Sequence, residues 1–156
     1  MNDSIATATS HHATSTLAVP EFVASLRAQQ YVEWSDLVST DQLGVDIYTG
    51  MFRDPNPKHQ ASSENIPILP GFFVLSLVPG YLFNHLPRVV GRSVVIRDIQ
   101  RFKFSTEVKV GDSVKLRYMP LSAKVRGGIV FIRAEVEIAL SNGIIAAKGI
   151  VSALLV

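Results

Sequence analysis

The chain has 156 residues, the length of one ordinary domain and enough to bury a core. Hydrophobic residues make up 47% of it and charged residues 18%, which excludes disorder for most of its length. With a net charge of +2, a pI near 9.0 and no cysteine, the chain offers no disulfide framework, thiolate nucleophile or thiolate metal site. That composition fits the cytoplasm. The densest basic group, Arg88, Arg92, Arg97, Arg101 and Lys103, is interrupted by Asp98 and has no aromatic-basic motif beside it. It reads as solvated strand faces that at most attract an anion such as a nucleotide phosphate, so no nucleic-acid partner is expected.

Residues 1–19 are rich in Ser, Thr and Ala, without the apolar run of a secretory signal or the arginines of a transit peptide. They are expected to form a disordered tail, with His11 and His12 in solvent rather than on a metal. The folded domain is expected over residues 20–156. "PEFVASLRAQQ" opens on Pro20, a favoured first helical residue, and keeps a helical apolar rhythm. "YVEW" reads as a short extended piece. "STDQLGVDIYTGMF" predicts a helix up to Phe52 with Ser39 or Thr40 as its N-cap. From Asn65 to Pro87 no Lys, Arg, Asp or Glu occurs, a length that a membrane span would need. Pro67, Pro70, Gly71, Pro79 and Gly80 break that run, and it reads instead as a helix buried in the domain, with Phe72, Phe73, Leu75 and Leu77 as core. His85, near the end of that helix, is expected to cap it or lie at the surface. After Gly91 the pattern turns to β-branched residues. "SVVIRDIQRFKF", "DSVKLRYMPLSAKV", "GIVFIRAEVEIAL" and "GIIAAKGIVSALLV" predict strands, with turns at "VGD" and "SNG". A strand, helices and then a run of strands predict an α+β domain with an antiparallel sheet of about five strands around a central apolar helix.

Between the second helix and the apolar run lies "FRDPNPKHQ", where Asp54 and His59 stand five positions apart around Pro55, Asn56 and Pro57. Prolines stiffen a chain without extending a helix or donating to a ladder. A turn sequence of this kind also occurs purely as structure, with the acid capping its own backbone.

The motif and its surroundings resemble the MaoC-like branch of the hotdog fold, which includes the (R)-specific enoyl-CoA hydratases. The family's signature is an acid, any residue, Asn-Pro, any residue and His; "DPNPKH" supplies it as Asp54, Asn56, Pro57 and His59. "PILPGFFVLSL" is similar to the start of the family's central helix, "RFKFSTEVKVGDSVKLR" to its strand, Gly-Asp turn and strand, and "LSNGIIAAKGIVSAL" to its closing strand. The resemblance spans the chain from about Glu33 to its end. It implies a hotdog domain that adds water to, or removes it from, an acyl thioester of coenzyme A or a carrier protein, with no cofactor and no metal.

By the same resemblance Asp54 is the base, His59 orients the water and relays a proton, and the Gly71 N–H meets the thioester oxygen. Asn56 braces the loop or orients the water. Two copies are expected to join their sheets edge to edge. Departures from the family pattern are Arg53 where glycine is usual, Ala61 where an acid is usual, Pro70 where histidine is frequent, and a short connection "QASSENIPIL". A dehydratase pair of the fatty-acid type would fall on Ser62 and Ser76, and the helix from Phe72 to Leu86 lacks the acid of hotdog thioesterases. A protein that binds acyl thioesters without turnover is the rival reading, but a binder has no need of Asp54 and His59.

Overall fold

The computed structural model describes residues 18–26, 31–32, 34–35, 37–62, 65–90 and 92–156, with backbone alone at residues 85 and 87–90. The tail of residues 1–17 with His11 and His12, the continuation of the first helix over 27–30, and the His85 side chain fall outside this description. The described elements, in chain order, are helix α1 (Val19–Leu26), strand β1 (Val38–Ser39), helix α2 (Gln42–Phe52), a 3-10 turn (Pro57–His59), helix α3 (Gly71–Val90) and strands β2 (Val94–Phe104), β3 (Ser113–Arg126), β4 (Ile129–Leu140) and β5 (Ile145–Leu155).

Each β-branched run after Gly91 becomes a strand, and the five strands form one antiparallel sheet in the order β1-β3-β4-β5-β2. The expected turns hold Gly111 at φ 91° and Gly143 at φ 90°, where a side chain would be strained. One face of the sheet carries Val114, Leu116, Tyr118, Val130, Ile132, Val136, Val151 and Leu155 into the core. α3 lies against that face through Val74, Val78, Leu82 and Leu86, one helical stripe of buried side chains. Each such side chain, once buried, contributes roughly 1.5–3 kcal/mol. α1 closes another side of the core with Phe22, Val23 and Leu26. This sheet wrapped along one helix is the expected hotdog architecture.

Three local expectations differ from what is observed. The N-cap of α2 is Asp41, whose carboxylate accepts the Gly44 N–H at 2.7 Å. Thr40 is buried instead, and its hydroxyl donates toward the carbonyls of Lys109 and Asp112. The first sheet strand described is Val38–Ser39 rather than "YVEW"; among the described residues Val32 and Ser35 donate to the β3 carbonyls of Tyr118 and Leu116, while Glu33 lies outside the description. Finally, α3 is not covered on every side. Phe72 is 75% exposed and Phe83 54% exposed, because one sheet can cover only one face of a helix.

Candidate active site

α2 ends in a way that places Asp54. Arg53 takes left-handed backbone angles, φ 51° and ψ 43°, as the residue just past the helix. Its N–H donates to the Gly50 carbonyl at 3.4 Å, while the Asp54 N–H donates to the Thr49 carbonyl at 2.9 Å. This reciprocal pair is the Schellman stop, which normally favours glycine at the left-handed position. The glycine missing from the motif is therefore missing where backbone geometry wants it most.

The segment after Asp54 is tied by its own side chains. The Asn56 N–H donates to Asp54 Oδ1 at 3.0 Å, closing a turn across Pro55. Asn56 Oδ1 accepts the Lys58 N–H at 3.1 Å and so caps the 3-10 turn, whose first residue is Pro57. Five residues are thereby fixed with almost no burial.

His59 reaches further. Its Nδ1 lies 2.6 Å from the Ile68 carbonyl, and since a carbonyl only accepts, the proton sits on Nδ1. The Ile68 N–H returns a bond to the Lys58 carbonyl at 2.8 Å. Nε2 then faces Asn56 Nδ2 at 3.2 Å and Asp54 Oδ2 at 3.7 Å. The two side chains remain partly open, at 28% exposure for Asp54 and 13% for His59. The separation of 3.7 Å is outside direct hydrogen-bond range.

Gly71 is the first residue of α3, three positions beyond Ile68, so at most about 10 Å of extended chain separates it from the anchor of His59. Pro70 supplies the carbonyl for the first intrahelical bond, from the Val74 N–H at 3.1 Å, but its side chain has no acceptor to cap the first turn. The N–H groups of that turn point out of the helix at its positive end. Glycine has a packing reason here as well: a Cβ would meet the Phe104 ring at 3.2 Å.

The fold thus brings Asp54, Asn56 and His59 into one cluster and puts Gly71 at the head of the neighbouring helix. The sequence reading did not single out Tyr48 or the Ile68 carbonyl. Tyr48 stands one helical turn before Phe52, and its phenol is raised above 10 by burial and then by the Asp54 charge. A helical spacing of aromatics, Tyr48 and Phe52 with ring centroids 4.6 Å apart, was the available signal. A backbone carbonyl leaves none. No group of acidic and histidine side chains that could hold a metal occurs among the described residues.

No family model and no curated protein sequence matches the chain. Solved structures do. An (R)-hydratase from A. caviae involved in PHA biosynthesis is 21% identical, with a TM-score of 0.63 over 80% of this chain and 93% of its own. A MaoC-like dehydratase from Rhodospirillum rubrum is 12% identical, with a TM-score of 0.66 over 81% of this chain and 90% of its own. The HadBC (3R-hydroxyacyl-ACP dehydratase) complex from Mycobacterium tuberculosis is 18% identical, with a TM-score of 0.65 over 80% of this chain and 94% of that one. At such identities the likeness establishes the fold these chains share, the hotdog.

Proposed function

We propose that this protein is a hydratase or dehydratase of acyl thioesters, interconverting a trans-2-enoyl and a 3-hydroxyacyl group carried by coenzyme A or a carrier protein. The observation that carries the reading is the Asp54–His59 pair, held 3.7 Å apart by a loop with few other duties. That gap suits one water oxygen lying about 2.8 Å from each atom. With the His59 proton on Nδ1, both facing atoms are acceptors, so the water would donate to Asp54 Oδ2, share the one Nε2 lone pair with the Asn56 amide, and turn a lone pair outward.

In the hydration direction Asp54 takes one proton from this water as its oxygen bonds to the β-carbon. The double-bond electrons move toward the thioester oxygen, and the enolate charge meets the Gly71 N–H at the positive end of α3. The proton held by Asp54 passes to the new β-hydroxyl, whose own proton moves to His59 Nε2 and on to the α-carbon, so one water is added and Asp54 regains its charge. Dehydration runs these steps in reverse. Asn56 keeps the imidazole turned and the loop closed. Rigidity matters because a misplacement of about 1 Å can lower a rate on the order of 10²-fold.

The assay follows loss of the conjugated enoyl absorbance of short trans-2-enoyl thioesters, on coenzyme A and on a carrier protein. Turnover by the wild-type protein is expected. A protein that binds these thioesters and never turns one over would instead be a binding module.

A homodimer belongs to the same reading. β2 is an edge strand with Val95, Ile99 and Phe104 exposed, and beside it Phe72 and Phe83 leave the face of α3 apolar. An apolar groove of about 540 Å³ runs between Pro79, Gly80 and Phe83 on α3 and Val94 to Ile96 on β2. An exposed apolar edge of this length is a template for pairing with a second copy. Sedimentation at micromolar concentration should give twice the chain mass, and a stable monomer would refute this part.

A further inference from the structure

The site just described accounts for the thioester end of a substrate but not for the far end of its pantetheine arm. Two cavities meet beside the His59 anchor. One, of about 350 Å³, is lined by Gly71, Phe104 and Ile68; the other, of about 590 Å³, by Lys58, Lys109 and again Ile68. Glu107 lines both as well. Sharing Ile68 and Glu107, they adjoin as one groove, with Phe104 and Val74 lining the α3 end and the two lysines the other.

Backbone pairing fixes the cationic end. Ile68 donates its N–H to the Lys58 carbonyl at 2.8 Å and bridges Lys109 on its other side. Lys58 and Lys109 therefore flank Ile68 like neighbours in a sheet, with their backbones about 10 Å apart. Neither ammonium, nor the Glu107 carboxylate that lines the same groove, forms an ion pair among the described residues. Two cations of the sheet's outer face, Arg117 and Lys148, are by contrast bound to glutamates. Among the described residues, two uncommitted ammonium groups and one carboxylate give the groove mouth one net positive charge.

We propose that Lys58 and Lys109 bind the phosphate at the far end of the pantetheine arm, with the arm lying along the groove past Ile68 toward Gly71. This rests on the thioester reading above. The phosphate is the same chemical group whether borne by coenzyme A or by a carrier protein. Glu107, an acid facing an anion, weakens the site and keeps it from holding free phosphate tightly.

The experiment measures calorimetric affinities for butyryl-coenzyme A, a butyryl carrier protein and butyryl-pantetheine, which lacks phosphate; none has a double bond to hydrate. In the Lys58→Ala/Lys109→Ala protein, affinity for the phosphate-bearing thioesters should fall on the order of 10- to 100-fold, and that for butyryl-pantetheine should stay within about twofold. Glu107→Gln should tighten coenzyme A thioester binding by about threefold and raise its salt sensitivity. Arginine at both positions should retain binding, showing that charge and not folding was lost. A fall for both phosphate-bearing ligands assigns the site to the pantetheine phosphate itself; a fall for coenzyme A alone assigns it to the nucleotide phosphates. An equal fall for all three ligands, or none, overturns the subsite while leaving the thioester reading intact. A wild-type protein that binds none of the three overturns both.

Discussion

Two regions of this molecule hold carboxylates beside cationic or imidazole partners, and they treat them in opposite ways. On the outer face of the sheet, antiparallel register lines up Arg117, Glu137 and Lys148 on β3, β4 and β5. Glu137 is 6% exposed and accepts from Arg117 Nε and Nη2 at 2.9 and 2.8 Å and from Lys148 at 3.0 Å, with the Tyr31 hydroxyl 2.8 Å away. Tyr31 shares its one hydroxyl proton between Glu137 and Glu135, and the Arg117 guanidinium stacks 3.9 Å from the Tyr31 ring and 4.3 Å from Trp34. Both carboxylate oxygens are engaged by charged donors. In the loop after α2, Asp54 Oδ1 accepts one backbone N–H, and Oδ2 faces His59 across a gap too wide for a direct bond. A saturated carboxylate holds segments together; one with a free lone pair aimed at an imidazole has capacity left for a reacting molecule.

The comparison breaks first at Glu137. Burial alone would raise its pKa, but bonds from Tyr31, Arg117 and Lys148 outweigh burial and lower it below the ordinary 4.5. The Tyr31 phenol moves up, first by burial and then through its bonds to Glu135 and Glu137. Glu137→Ala should destabilise the fold by about 2 kcal/mol, less than a fully buried pair, because Lys148 is 44% and Arg117 28% exposed. The only tryptophan, Trp34, sits on Arg117 and reports the transition by fluorescence. The pH sign follows from the lowered value. Glu137 contributes its stability above pH 4.5 and loses it as pH falls toward its depressed pKa. Glu137→Gln should therefore flatten the acid limb of a melting-temperature profile below pH 4.5. An unchanged limb would remove Glu137 from the account.

Truncation at the loop should be far milder. Asp54→Ala forfeits one partly exposed turn bond, about 0.5 kcal/mol, so Asp54 and Glu137 should differ in stability cost by roughly fourfold. Equal costs in the two variants would erase the distinction between the regions. A stabilising change sharpens the comparison in the other direction. Arg53 is held left-handed at φ 51°, and Arg53→Gly should stabilise the protein by about 1 kcal/mol, a rise of roughly 2–4 °C in Tm. A fall in Tm would mean that the arginine side chain makes a contact that outweighs the backbone strain.

The sequence made the β-branched strands and the long apolar helix legible, since each element's own pattern carries the signal. Asp54, Asn56 and His59 were legible through the spacing of a short rigid loop, in which all the bonds among the three are local. What was not legible depends on register or on distant partners. Arg117, Glu137 and Lys148 lie on three strands and become neighbours only once pairing is known. Thr40 looked like a helix cap and was drawn instead to carbonyls about seventy positions away. The His59 ring is set by a backbone carbonyl nine positions on, which no residue type announces. Phe72 matched a core pattern and is exposed because burial depends on what lies opposite.

The central claim is that Asp54 and His59 act on one water, and a double-mutant cycle on hydration of a short trans-2-enoyl thioester tests it most directly. Asp54→Asn keeps shape and hydrogen bonding but removes the charge of a base, and His59→Ala removes the second acceptor. Each should lower kcat on the order of 10²-fold or more, and the double variant should fall little further, because groups that act as a unit are not additive. Thioester affinity should change little, since its oxygen is met by the Gly71 backbone. Activity that persists in both single variants, or two losses that simply multiply in the double, would contradict the account.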